Sequence, residues 1–270
     1  WRAAARIPIR KDGESLVPRP GWDSDYDWKG FIPLDEMPYI YNPKKGYIAT
    51  ANNKIVDDTY PYYISNQWAE PSRIERIEEL IEKKEKLSVD DMKSIQNDRY
   101  SSFAREVTPN ILKHLPKNYD GNQKSAYDYL KDWDFIESTS SNAATVFHVV
   151  LDELLKNIYK DELDLVDNKA FDALVHFSML PHRNIHWVLS EGKSSWIDDV
   201  RTKDEVETLE KIVITSFEKA IHRIESQVGL NPSVWEWGSL HTLTHPHPLG
   251  EIKILDLLFG FNVGPYKTGG

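Results

Sequence analysis

The sequence predicts an α+β protein that is predominantly α-helical, with short strands towards either end. Three observations carry this. Residues 1–65 hold seven of the 15 prolines and alternate short extended runs with turn signals. Residues 203–228 place Val206, Leu209, Val213, Phe217, Ile221, Ile224 and Val228 at helical intervals, with charges on the other face. Beyond residue 232 the pattern breaks again, and Pro246 and Pro248 oppose helix. The chain therefore reads as extended (1–70), helical (71–232) and extended again (233–270). On this reading the helical middle is an insertion between two parts of one sheet-containing domain.

The elements follow in order. The extended run Ala5-Arg6-Ile7-Pro8-Ile9 precedes the turn signal Lys11-Asp12-Gly13. A second turn signal, Asn42-Pro43-Lys44-Lys45-Gly46, leads into the extended run Tyr47-Ile48-Ala49-Thr50-Ala51. That run stops at Asn52-Asn53, a residue type that tolerates left-handed backbone angles and so marks a turn. The character changes at Pro71. Ser72 with Glu75 has capping-box spacing ahead of Ile74, Ile77 and Ile81, and Ser88 with Asp91 repeats it. Helices are expected near 98–115, 122–133, 141–160 and 165–179. The helix over 203–228 is expected to end at Gly229, ahead of Asn231-Pro232.

Composition bounds the function. The chain has 270 residues, 40% of them hydrophobic and 28% charged, as in soluble globular proteins. Nine Trp and 13 Tyr supply ample apolar area for a core. A net charge of -10 without a basic stripe argues against a nucleic-acid partner. No apolar run reaches the roughly 20 residues that span a bilayer. There is no Cys, which removes disulfides, Cys-ligated zinc and a thiol nucleophile from this chain. The start at Trp1-Arg2, and the finish at Gly264-Pro265-Tyr266-Lys267-Thr268-Gly269-Gly270 straight after an apolar stretch, read as a piece of a longer precursor. Compartment is left open.

Several constellations invite chemistry and are better read as structure. His241, His245 and His247 lie close together, but a zinc helix would place a Glu between paired histidines, and here prolines interrupt. Their expected role is hydrogen bonding in an ordered loop. His182 and His186 have i, i+4 spacing with no carboxylate between them and read as ordinary helix histidines. Asp57-Asp58, Asp90-Asp91 and Asp198-Asp199 do not form a calcium loop, and acids near helix starts favour the macrodipole. Gly-x-Gly-x-x-Gly, the Walker pattern and the Gly-x-Ser-x-Gly elbow are all absent.

Blocks across the chain resemble the penicillin acylase (penicillin amidase) family in order and spacing. They are Arg6-Ile7-Pro8-Ile9-Arg10, then Pro20-Gly21-Trp22 and Trp28, then Gly30-Phe31-Ile32-Pro33-Leu34-Asp35-Glu36-Met37-Pro38. Asn42-Pro43, Gly46-Tyr47-Ile48 and Thr50-Ala51-Asn52-Asn53 follow, with Pro71-Ser72-Arg73-Ile74-Glu75-Arg76-Ile77 after them. Trp237-Gly238, His245-Pro246, His247-Pro248-Leu249-Gly250 and Asn262-Val263-Gly264-Pro265 complete the set. They cover about 1–80 and 235–270.

The resemblance implies an interior fragment of the large chain of an αββα N-terminal-nucleophile hydrolase. It implies a precursor that cleaves itself, exposing a Ser or another nucleophile as a new N-terminal residue upstream of this chain. Its own α-amine, with a pKa of about 8, would act as base. The reaction implied is hydrolysis of a small-molecule acyl amide. Asn52 aligns with the oxyanion-hole asparagine and Arg73 with an arginine that orders the polar network around it; Asn53 and Arg76 are left to structure. The partners implied are the remaining segments of the same precursor. No cofactor is required. Many relatives hold a structural calcium ion, with ligands mostly from segments outside this chain; Asp57 and Asp58 are the nearest acids here and do not match cleanly. The alternative reading is a non-catalytic helical binding or scaffold module.

Overall fold

The computed structural model describes residues 1–4, 6–11, 17–176, 179–260 and 262–270. It divides into two compact units, Trp1–Glu85 and Lys86–Gly270. In the first, strand β1 (Pro8–Arg10) pairs antiparallel with β2 (Trp28–Phe31), with Pro8 opposite Phe31 and Ile9 opposite Gly30. The first expected extended run thus becomes a strand from Pro8 onward; Ala5, Asp12 and Gly13 lie outside the described residues. Among the described residues of this unit, Ile32, Met37, Ala51, Ala69 and Ile74 are the buried apolar side chains.

The expected run over 47–51 forms no strand among the described residues. An extended segment becomes a strand only where a neighbour supplies ladder partners. Here side chains hold it instead: the Tyr47 hydroxyl donates to Glu82 at 2.5 Å, and the Ala51 N–H donates to Asn53 Oδ1 at 3.0 Å. Helix α1 (Ser72–Glu82) starts one residue earlier than a Ser72 cap requires, with Pro71 in the cap position. The Ser72/Glu75 capping box is therefore not formed. Glu70 replaces it, accepting from the Ser72 N–H at 2.8 Å and the Ser72 hydroxyl at 2.5 Å.

The second unit is helical. Helix α2 (Val89–Gln96) opens with the expected Ser88/Asp91 capping box. Helices α3 (Ser102–His114), α4 (Gly121–Lys131), α5 (Asn142–Val166), α6 (Ala170–His176), α7 (Met179–Glu191) and α8 (Leu209–Gln227) follow. The helix expected over 165–179 begins later, at Ala170, because Asp167 ends α5 and its side chain takes the Lys169 N–H at 2.7 Å. The end of that expectation, at Phe177 and Ser178, lies outside the described residues. Helix α8 starts at Leu209 rather than near 203. Thr208 caps it, accepting the Lys211 N–H at 3.2 Å, while Glu207 is turned back to donate its N–H to Asp198 Oδ1 at 3.2 Å. Val206 is left exposed.

Helix α5 buries about half of its residues, as suits a central helix. Its Phe147, Leu154 and Ile158 are fully buried, as are Val213, Phe217 and Ile224 of α8, which packs along it. Asn157 Nδ2 donates to the buried Ser216 Oγ at 2.8 Å, tying the two helices with a satisfied polar pair. After α8, Trp235 is fully buried and its indole N–H donates to Gly229 O at 2.7 Å. Strands β3 (Thr242–His245) and β4 (Val263–Lys267) pair antiparallel, with helix α9 (Lys253–Phe259) between them. Gly250 is required by close approach: a Cβ there would clash with the Asn262 amide. No helix among the described residues is long and apolar enough to cross a membrane.

Candidate active site

The site is built from the turn at Ala51-Asn52-Asn53 and the start of α1. Ala51 is buried and fixes the turn to the first unit. Asn52 has φ of 62°, the left-handed conformation that asparagine tolerates. Asn53 completes the turn: its Oδ1 accepts the Ala51 N–H, and its Nδ2 donates to Lys54 O at 3.0 Å. The Asn52 carbonyl accepts the Ala69 N–H at 2.8 Å. This bond holds the turn against the segment that leads into α1.

Two residues into α1, Arg73 Nη1 donates to Asn52 Oδ1 at 3.5 Å. The structure thus brings together Asn52 and Arg73, which are 21 residues apart in sequence. The bond is at the long end of the hydrogen-bond range. A guanidinium only donates, so the amide oxygen must face it. The Asn52 amide nitrogen is then the free end, and no described residue accepts from it. Both side chains are exposed. A neutral donor with no internal partner is suited to a developing negative oxygen.

The surrounding charges are structural. Arg76 Nη1 donates to Glu79 Oε2 at 2.9 Å; this bond, followed by Lys83, holds the Glu79 carboxyl below its ordinary range. The hydrogen bond to Glu82 pushes the Tyr47 phenol up to about 12, so it remains a neutral donor. The Thr59 hydroxyl and N–H hold the Asp57 carboxyl low, and Asp58 pairs with Lys54. Among the described residues no three Asp, Glu, His or Cys side chains converge on a cation position.

The histidines take several structural roles. His247 Nδ1 accepts the Leu249 N–H at 3.1 Å, capping a short 3₁₀ turn. His182 stacks on Phe103 with ring centroids 5.0 Å apart, and His186 Nε2 lies 3.9 Å from Glu106. His241 belongs to a node that sequence reading missed. Its ring stacks on Trp237 at 4.7 Å, and Trp237 stacks on His148 at 4.4 Å. His148 Nε2 lies 3.0 Å from the buried Glu137. Burial alone would raise the Glu137 carboxyl, but its neighbours, His148 foremost and then Ser101 and His241, together leave it below its ordinary value. The one legible signal was His148 itself, a polar residue between Phe147 and Val149 in an apolar helix, where burial demands a partner.

Comparison with known proteins fits this geometry into a class. The penicillin G acylase of Alcaligenes faecalis, a solved structure, superposes with a TM-score of 0.61 at 20% identity, over 90% of this chain and 47% of that one. The fold is therefore α+β, a predominantly helical segment of the N-terminal-nucleophile hydrolase fold. A family model described as penicillin amidase matches residues 1–270, and the chain belongs to that family. The acyl-homoserine lactone acylase QuiP of Pseudomonas aeruginosa is 30% identical, over 100% of this chain and 34% of that protein. QuiP of Pseudomonas syringae pv. tomato is 32% identical over 89% and 31%. The penicillin acylase 2 proenzyme of Pseudomonas sp. (strain SE83) is 38% identical over 91% of this chain and 30% of that protein. The chain thus spans about a third of the length of the curated relatives it matches.

Proposed function

We propose that this chain is part of an amidohydrolase that cleaves a small-molecule acyl amide, with the attacking residue on a segment outside its 270 residues. Family membership supports amide chemistry, and the relatives' names point to acylated lactones and penicillins as the substrate class. The observation that carries the reading is the Arg73-to-Asn52 bond, which leaves the Asn52 amide N–H free. Asn52 then donates to the oxyanion formed when the amide carbonyl is attacked. Arg73 is a positioning residue that sets the amide flip. The chemistry needs no cofactor. In this reading residues 1–70 and 233–270 belong to the hydrolase core, 71–232 form its helical insertion, and the remaining precursor segments complete the site.

The test is activity of the complete protein with substitutions at Asn52. Asn52→Ala should lower kcat by about 10²–10³ with little change in KM, the loss typical of one oxyanion donor. Asn52→Gly should be as inactive, yet as stable as wild type, because glycine adopts the φ of 62° freely. Turnover near wild type in both variants would overturn the assignment and favour a non-catalytic module.

A further inference from the structure

A cavity of about 540 Å³ opens among α5, α6, α7 and the turn at Ser195–Ile197. It lies within the second unit and plays no part in the Asn52 site. Leu163 of α5 supplies apolar wall, and two half-exposed tryptophans, Trp187 and Trp196, stand on it. Among the described lining residues the single charged group is Arg183, and no described residue makes an ion pair with it. Beside it the buried Tyr159 hydroxyl donates to Asn184 Oδ1 at 2.8 Å. Burial raises the Tyr159 phenol, so it stays a neutral donor. With its oxygen occupied, Asn184 keeps its amide N–H groups for another acceptor.

An apolar hollow with aromatic walls, one guanidinium and one amide donor selects its ligand chemically. A cation finds no acid in the lining, and a dianion finds one positive charge rather than two. An apolar molecule gains from the walls. A carboxylate gains two donors from the planar guanidinium fork. We propose that this cavity binds a monocarboxylate with an alkyl or aryl body, its tail against Trp187 and Trp196 and its carboxylate on Arg183 and Asn184. This assignment stands on the cavity's own chemistry and does not depend on the amidohydrolase reading. If both hold, the site takes the class of acid that amide hydrolysis releases.

The probes are octanoate and 1-octanol, titrated calorimetrically into the full-length protein, together with an octanoate analogue carrying a photoreactive diazirine. Octanoate should bind saturably. Arg183→Gln should weaken octanoate by about tenfold or more and leave 1-octanol nearly unchanged. Trp187→Ala should weaken both. Thermal melts of the variants, with Arg183→Lys as a charge-retaining control, separate binding loss from unfolding. Photolabel should map to α7 and the Trp196 turn. Equal octanoate affinity in folded Arg183→Gln, or label confined to other parts of the protein, would overturn the proposal; the second outcome leaves the amidohydrolase reading intact.

Discussion

Asn52 and Glu162 show how a single side chain is set by what surrounds it. The Asn52 amide is turned by Arg73 across a gap no local rule describes, whereas its left-handed backbone was legible from the Asn-Asn pair alone. Glu162 is a carboxyl pushed up to about 7, first by burial and then by its bond to Asp161. Asp161 is held in place by the Val200 N–H at 2.8 Å. Folding favours the protonated Glu162, so its contribution is full below the unfolded carboxyl pKa of about 4.3 and is lost as pH rises through 7. The loss between pH 5 and 8 should be about 1 kcal/mol, the rest being screened because the side chain is partly exposed. Glu162→Gln should flatten that limb of the Tm–pH profile. An identical profile in the variant would show that Glu162 does not titrate there.

Among the elements, caps decide boundaries that periodicity leaves open. The apolar spacing over 203–228 placed the long helix correctly, but Thr208 and the Asp198–Glu207 bond delay its start to Leu209. Thr208→Ala should cost about 1 kcal/mol, the usual worth of an N-cap side chain, read as a lowered denaturation midpoint at unchanged m. A loss under a few tenths would mean the Asp198–Glu207 bond alone fixes the boundary. At Ser72 the same spacing rule misled, because Pro71 took the cap position and Glu70 supplied the acceptor. The run over 47–51 failed for a related reason: β-propensity cannot create a ladder partner. Helices α3, α4 and α5 close their bonds within the segment, so their existence could be read from sequence alone.

At the scale of the whole chain, the second unit rests on the seam between α5 and α8. Phe147 of α5 and Phe217 of α8 are fully buried in the core of this unit, and ordinary core arithmetic applies. Phe217→Ala should destabilise by about 3–5 kcal/mol, measured by denaturant unfolding; a loss below 1 kcal/mol would mean the seam can collapse around the gap. By itself the sequence determined the predominantly helical α+β class, the positions of most helices, the Asn turn and the family, because these depend on local spacing and on ordered blocks of residues. Tertiary structure alone decided three things. It set which way the Asn52 amide faces, it joined His148 to Glu137 and Trp237, and it opened a cavity whose one cation has no ion-pair partner among the described residues. Each depends on side chains distant in sequence meeting at a few ångströms, and no periodicity records such a meeting.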